Sequence, residues 1–416
     1  MKIGELAKRA GISRDTIRYY IKNGLLVPEK NDAQYNFSDR ELQDLYKIIK
    51  MKQQQFNLTE IQNYLSLERL SNLIEPETID DCLRMMNNKK QELHGQIKKL
   101  KDAIKCIDQE VLDLTTRAHG EPQKTGVPIS ALPLLTCPHC GKQLEISNAD
   151  LNSRYIFSGF LNCACGYHAK IENGIVKTGN LYTNIYDRPD LRRGLYRNVG
   201  QGFSTAVQKC YDYISSELQK RDLNGKVILE ANINGYFFLY NHLPLLENGC
   251  LCIIIDKFPE MLEMYKGLLE LLNLNRDILY ISDASMNYPL KPNCVDLHIS
   301  FFGENEHQLY HHNPYLTDAK QFFKPDVLIL GSYLSYSKNS ASRKNLICKY
   351  PESSSHLYNI TYCKEAYNAE NYYISYHRVG SLLETASKEY AFECHAKGEP
   401  LELYYFKARS ASLLTD

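Results

Sequence analysis

A chain of 416 residues is long enough for two to four domains at roughly 100–200 residues each. Its 49 basic and 49 acidic side chains cancel, so the whole chain exerts no net pull on nucleic acid or on an anionic membrane. No stretch is long and apolar enough to span a bilayer, and the opening MKIGELAKRAG lacks the apolar run of a secretory signal, so a cytoplasmic protein without a membrane segment is expected. In a reducing compartment most of the 13 cysteines read as small core residues, as with Cys210, Cys252 and Cys294 inside apolar runs, and one group of four stands apart.

Residues 2–10 pattern as a helix with Ile3, Leu6 and Ala7 inward. Gly11-Ile12-Ser13 makes a turn, and Ser13 is suited to cap a second helix from Arg14 to Lys22. Ile17 and Ile21 share one face of that helix, while Arg14, Arg18, Tyr19 and Lys22 spread over the rest. Gly24 is placed to end it in a left-handed conformation. Two short helices at this spacing form a helix-turn-helix, and a basic, aromatic second helix is what a reader of the DNA major groove needs. Residues 1–70 hold 12 Lys or Arg against 9 Asp or Glu, which permits such a role without demanding it. The polar stretch Glu29 to Asn36 fits a small hairpin wing. A third helix follows over Arg40–Gln53 with Leu42, Leu45 and Ile49 inward, and a fourth carries Ile61 and Leu65.

The ordered set IGELAKRAGIS, TIRYY, GLLVP, YNFSD and NLTEIQNYL resembles the winged helix-turn-helix domain of MerR-family transcription regulators over about residues 1–70, within a domain assigned to 1–74. Ile21 stands where that family usually has Glu, and Asn36 where the wing usually has Arg. The resemblance implies that the second helix enters the major groove, with Arg14 and Asp15 approaching bases. It implies that Arg18, Tyr19, Tyr20 and the wing Tyr35 meet phosphates, which fix register while base contacts set sequence preference. Core packing is the competing reading for Tyr20.

Residues 79–114 repeat apolar positions at steps of four and three: Ile79, Leu83, Met86, Lys90, Leu93, Ile97, Leu100, Ile104, Ile107, Val111 and Leu114, with only Lys90 polar. That is a heptad seam, and a helix of ~36 residues, about 54 Å long, cannot bury it alone. Homodimerisation through residues 79–114, within a helix assigned to 75–117, is the reading preferred over packing on the chain's own remainder. In the MerR family the equivalent helices pair antiparallel, which sets two heads on palindromic operator DNA and brings RNA polymerase at the promoter into play. Residues 118–133, rich in Gly, Pro, Thr and Ser, read as a linker.

Within residues 134–178, Cys137-x-x-Cys140 is followed after 22 intervening residues by Cys163-x-Cys165. Two such knuckles joined by a hairpin describe a zinc ribbon, with His168 able to replace a later cysteine. A metal-free hairpin or a redox pair at Cys137 and Cys140 is the alternative. L-x-C-x-C-G followed by I-x-x-G-I resembles the ribbon preceding the catalytic domain of some S-adenosylmethionine methyltransferases, including ribosomal RNA guanine methyltransferases.

Residues 179–416 alternate strands and helices, which predicts a parallel α/β sheet. Two helices are expected over 181–222. Strands are expected at Val227–Glu230, Cys250–Ile255, 277–282, Val295–Phe301 and 323–333, with a closing pair at 371–380 and 400–409. Five parallel strands followed by an antiparallel pair resemble the Rossmann-like class I methyltransferase fold. In that family a Gly-rich turn follows the first strand, and here it reads Glu230-Ala231-Asn232-Ile233-Asn234-Gly235, with Asn at two glycine positions. Asn tolerates positive φ better than other residues with a side chain. Glu230, Asn232, Asn234, Gly235, Asp256, Asp283 and Ala284 are thus candidate cofactor contacts, with strand-end capping the alternative for the two aspartates. No motif for a methyl acceptor follows the fourth strand, and no catalytic residue is assigned.

These parts describe a dimeric transcription regulator of the MerR type. Its methyltransferase-like domain binds S-adenosylmethionine or a related small-molecule effector and alters operator conformation. The alternative is an active methyltransferase on RNA or a small molecule, with the head serving for targeting. A third reading is a zinc or thiol sensor acting through Cys137, Cys140, Cys163 and Cys165.

Overall fold

The computed structural model describes all residues except 32–33, 72, 119–121, 198–199, 246–248, 275, 384–389 and 412–416. The chain divides into two compact units, Met1–Thr116 and Arg117–Asp416.

In the first unit, α1 (Ile3–Ala10) and α2 (Arg14–Lys22) are joined by Gly11 at φ 67°, a left-handed cap that glycine takes without steric cost. The wing is the antiparallel pair β1 (Glu29–Asn31) and β2 (Gln34–Asn36), and the tip of the expected hairpin, 32–33, lies outside the described residues. Ser38 and Glu41 form a reciprocal capping box at the start of α3 (Asp39–Gln53), one residue before the expected start. The buried side chains of α3 are Asp44, Leu45, Ile48 and Met51, so the core-facing stripe is rotated from the expected Leu42, Leu45 and Ile49. Arg69 of α4 (Leu58–Ser71) explains the rotation. Its guanidinium donates to Asp44 Oδ2 at 2.8 Å and to the Leu25 carbonyl at 2.7 Å, which draws a charged position of α3 into the interior.

The long helix α5 (Pro76–Ala118) runs 43 residues, about 65 Å at 1.5 Å per residue. Met85 and Met86 pack on the core of the head. Lys89 is buried there and spans Glu60 at 2.9 Å and Glu92 at 2.6 Å, whereas its neighbour Lys90, placed on the seam by the heptad pattern, is exposed. Further along, Ile97, Leu100, Ile104, Ile107, Val111 and Leu114 are all exposed.

The second unit is built on one twelve-stranded sheet. Its N-terminal part contains β3 (Val127–Pro128), β4 (Glu145–Leu151), β5 (Tyr155–Asn162), β6 (His168–Glu172) and β7 (Ile175–Lys177). After α6 (Gln201–Gln219) come β8 (Val227–Ala231), α7 (Phe238–His242), β9 (Leu251–Asp256), α8 (Pro259–Leu271), β10 (Asp277–Ser282) and β11 (Val295–Phe301). Then follow α9 (Gly303–Gln308), α10 (Tyr315–Ala319), β12 (Phe323–Ser335), α11 (Ala341–Lys349), α12 (Ile360–Ala369), β13 (Tyr372–Leu382) and β14 (Leu401–Ser410). The path runs β13-β14-β12-β11-β8-β9-β10, with β14 antiparallel to both neighbours and the other contacts parallel. Numbered from β8, this is order 6-7-5-4-1-2-3, the Rossmann-like arrangement of class I methyltransferases. Side chains alternate between two cores: Ile228, Ile254 and Ile299 face one, Leu229, Ile255 and Ile329 the other. Burial on both faces is why these strands read as unbroken apolar runs.

Two expectations give way here. Among the described residues of 181–222 there is one regular helix, α6. Residues 181–197 are otherwise irregular with a short 3-10 segment, because the run RPDLRRG offers little apolar surface to bury. The stretch expected as linker is partly built into the sheet. Val127 is fully buried in β3, and a Cβ on Gly126 would stand 2.4 Å from the Ile156 carbonyl oxygen. Residues 119–121 of that linker lie outside the described residues. The four-cysteine region is also continuous with the large sheet. β7 pairs in parallel with β10, and Cys137, Leu144, Leu161 and Ile171 belong to the core that covers one sheet face.

Candidate functional site

Three constellations carry chemistry. The first is the exposed face of α2. Ser13 Oγ accepts the Thr16 amide at 3.0 Å and starts the helix. Arg14, Asp15, Arg18 and Tyr19 project from it, all exposed. Arg18 Nη1 pairs with Asp15 Oδ1 at 2.7 Å, an exposed ion pair of small net worth that a phosphate can displace at little cost. Tyr20 is buried among the core residues of the head, the competing reading made from the sequence, and Tyr35 is half-buried on the wing with its ring tilted against Phe37. Arg69 and Lys89, which tie α4 to the turn after α2 and α5 to α4, had no signature beyond being single charges in amphipathic helices.

The second is the thiol cluster. The sulfurs of Cys137, Cys140, Cys163 and Cys165 lie within 4.8 Å of one another, with Cys137–Cys165 and Cys140–Cys163 both at 3.4 Å. Each knuckle closes through a backbone bond, Gly141 N–H to the Cys137 carbonyl and Gly166 N–H to the Cys163 carbonyl. Sulfurs arranged tetrahedrally at the ~2.3 Å zinc–sulfur distance lie about 3.8 Å apart, so the four fit a metal ion with little movement. The Tyr167 amide and the neighbouring thiols pull Cys165 down to about 6, which makes a ready thiolate ligand. His168 is outside the cluster. It begins β6 opposite Asn162, while His139 stacks edge-on against Tyr167.

The third lies at the carboxyl ends of β8, β9, β10, β11 and β12. Asn232 takes φ 60°, so one of the two asparagines does replace glycine in a left-handed conformation. Glu230 is buried and accepts the Phe238 and Leu239 amides at 2.7 and 2.9 Å, fastening the start of α7. Burial pushes its carboxyl up to about 8 against those two bonds. Asp256 Oδ2 accepts the Asn234 amide and Oδ1 the Phe258 amide, both at 2.9 Å, and burial pushes it up to about 6. Asp283 Oδ2 accepts Thr178 Oγ1–H at 2.6 Å and Asn180 Nδ2–H at 2.9 Å, and its Oδ1 accepts the Ser285 amide at 2.6 Å. The Ala284 amide donates to the Asn180 carbonyl.

A narrow cleft, with about 40 Å³ of room for the centres of water molecules, opens beside this turn. Asn232, Asn234 and Gly235 line it, whereas Glu230, Asp256, Asp283 and Ala284 do not. Its remaining wall is mostly aromatic, with the carboxylates of Asp187 and Glu306. Behind them Lys257 is buried, paired with Asp187 at 3.0 Å and Glu306 at 2.7 Å, its Nζ 3.5 Å from the Tyr310 ring centroid. Burial pushes Glu306 up to about 7 despite that ammonium. In a methyltransferase the acid after the second strand holds ribose hydroxyls. Here Asp256 is 1% exposed with both oxygens holding its own chain, so the residues as folded do not fit the nucleoside half of S-adenosylmethionine.

Residues 1–68 match the MerR HTH family of regulatory proteins. The N-terminal unit carries a MerR-type helix-turn-helix domain. The ZntR homolog of Haemophilus influenzae, an HTH-type transcriptional regulator, is 43% identical over 75 residues, 17% of this chain and 54% of that relative. The chain thus spans about half the length of that relative. YfmP of Bacillus subtilis, another HTH-type regulator, is 27% identical over 137 residues, covering 26% of this chain and 98% of its own length. Over the second unit, a SAM dependent methyltransferase from Aquifex aeolicus of known structure is similar at 13% identity, with 53% of this chain and 99% of that chain covered and a TM-score of 0.35. The match to the family model ends at residue 68, before α5 begins.

Proposed function

We propose that the protein is a homodimeric, DNA-binding transcription regulator of the MerR type whose C-terminal methyltransferase-like domain binds a small-molecule effector and alters the conformation of operator DNA. The observation that carries this reading is the row of exposed apolar side chains on α5 directly behind the reading head. Burying a Leu or Ile side chain stabilises by about 1.5–3 kcal/mol, so a second copy of the helix gains much by covering Leu100, Ile104, Ile107 and Leu114. Pairing two copies sets two α2 helices on the halves of a palindromic operator. RNA polymerase at the same promoter is the downstream partner, and the cytoplasm the compartment. Cys137, Cys140, Cys163 and Cys165 hold a structural zinc ion in this reading. A ligand that favours one dimer geometry would act on the DNA through α5. The fold suggests S-adenosylmethionine or a related molecule as that ligand, and the strand-end acids already engaged by the chain argue against its nucleoside half. Catalysis of methyl transfer, the alternative, would need that half bound.

The test is oligomeric state and operator binding together. Light scattering should give a dimer, and Leu100→Asp with Ile104→Asp should give a monomer that loses at least about tenfold in operator affinity. The circular dichroism of the C-terminal unit should stay as it was. A wild-type monomer that grips a palindromic operator as tightly as the pair would sink the reading.

A further inference from the structure

We propose that the ligand of the C-terminal domain is a compact organic cation, a protonated or quaternary amine on an apolar body, and not a nucleoside. The chain's own 178–190 segment occupies the strand ends where the nucleoside would lie, and the described wall of the cleft that remains is aromatic with two acid side chains. The proposal rests on the reading of this domain as ligand-binding and narrows it.

The first observation is how the segment is fastened. At one end Thr178 and Asn180 hold Asp283 at the end of β10, and the Asn180 carbonyl takes the Ala284 amide. At the other end the turn after β8 is the anchor. Asn234 Oδ1 accepts the Asp190 amide at 3.0 Å, and its Nδ2 donates to Asp187 Oδ2 and to the Arg188 carbonyl, both at 3.3 Å. An asparagine that replaces glycine therefore serves as the clasp. Between these ends, Asp256 at the tip of β9 is spent on the Asn234 and Phe258 amides.

The second observation is the wall of the cleft. Phe301, Phe302, Tyr310, Tyr350 and Tyr358 present rings to it, and Asp187 and Glu306 are its only charged groups among the described lining residues. Ring faces carry partial negative charge and attract cations, most strongly where water is excluded. An anion would face these two acid side chains first, with their shared ammonium of Lys257 lying behind them.

The third is that the protein already places a cation in these surroundings. Lys257 Nζ lies over Tyr310 and within 5.3 Å of the Tyr182 centroid, held by Asp187 and Glu306, with Asp256 nearby. Asp187, Glu306 and Asp256 gather around that one ammonium, so acidic groups outnumber basic ones here.

The test uses the full chain and three probes of one shape by calorimetry: phenyltrimethylammonium, neutral tert-butylbenzene and anionic benzenesulfonate, with S-adenosylhomocysteine as a fourth. Phenyltrimethylammonium should bind at least about tenfold more tightly than tert-butylbenzene, and benzenesulfonate should not bind. Glu306→Gln and Asp187→Asn should each weaken the cation selectively, leaving the tert-butylbenzene affinity in place. Equal affinity for cation and neutral probe, or no binding of phenyltrimethylammonium below millimolar, overturns the proposal, and the wild-type comparison decides even if a variant misfolds. Tighter binding of S-adenosylhomocysteine that Asp256→Asn abolishes overturns it too, while leaving the regulator reading standing. Cation binding that leaves operator affinity unchanged does the reverse.

Discussion

At the scale of single residues, the head separates the exposed groups proposed to meet DNA from the groups that hold the head together. Arg18 is free to leave Asp15, because both partners are well exposed and the pair is worth little in water. Arg18→Ala should weaken binding to every sequence alike and reduce the slope of log affinity against log salt by about 0.9, the value of one phosphate contact. Salt titration on operator and random duplexes measures this, and a loss confined to one base pair would make Arg18 a reader of sequence instead. Tyr20 is a member of the core, and its removal belongs with packing losses. The same separation holds at the strand ends, where Glu230 and Asp256 act as internal caps. Their spacing invited a cofactor role, but the amides that fill them come from the turns and helix starts that follow β8 and β9.

At the scale of elements, the cysteine knuckles were legible because metal ligation fixes local spacing. What spacing did not disclose is that their hairpins extend the large sheet through β7 and share its core. A ribbon with a core of its own making would unfold when stripped of metal. This one retains Leu161 and Ile171 packed under the sheet. Chelation, or Cys163→Ser, should therefore remove one zinc ion per chain and lower the melting temperature of the C-terminal unit without abolishing its folding. Metal analysis with calorimetry checks both. Full retention of the melting temperature after metal loss would show that the cluster is not structural. The α3 stripe illustrates the opposite case. Periodicity located the helix, but the buried ion pair of Asp44 with Arg69 set its rotation.

At the scale of the whole molecule, the C-terminal unit stores several carboxyls whose hold on a proton burial strengthens. Glu230 is pushed up to about 8, Glu306 to about 7 and Asp256 to about 6. The unfolded chain gives up these protons at about pH 4, so the folded state binds more protons over the interval between. Their contribution is complete in acid and is lost as pH rises through 6 to 8. His298, pulled down to about 4 by burial, works in the other direction, but its effect ends at about pH 6.5, where the unfolded imidazole is neutral. Between about pH 6.5 and 9 the C-terminal unit should lose stability, and Glu230→Gln should flatten that decline. Calorimetry across the window measures it, and a melting temperature that rises with pH would contradict the assignment.

The sequence by itself determined the helix-turn-helix, the long heptad helix, the thiol cluster and nearly every strand of the second unit. Each depends on a local code: caps, periodicity, ligand spacing, or runs of apolar residues buried on both faces. Only the tertiary structure decided that the ribbon and the α/β domain form one sheet, and that the former linker supplies a strand. It alone showed the strand-end acids engaged by the chain's own segment beside an aromatic, acidic cleft. Those facts join residues from 27 to 105 positions apart, and no local pattern encodes a contact whose two halves are specified separately.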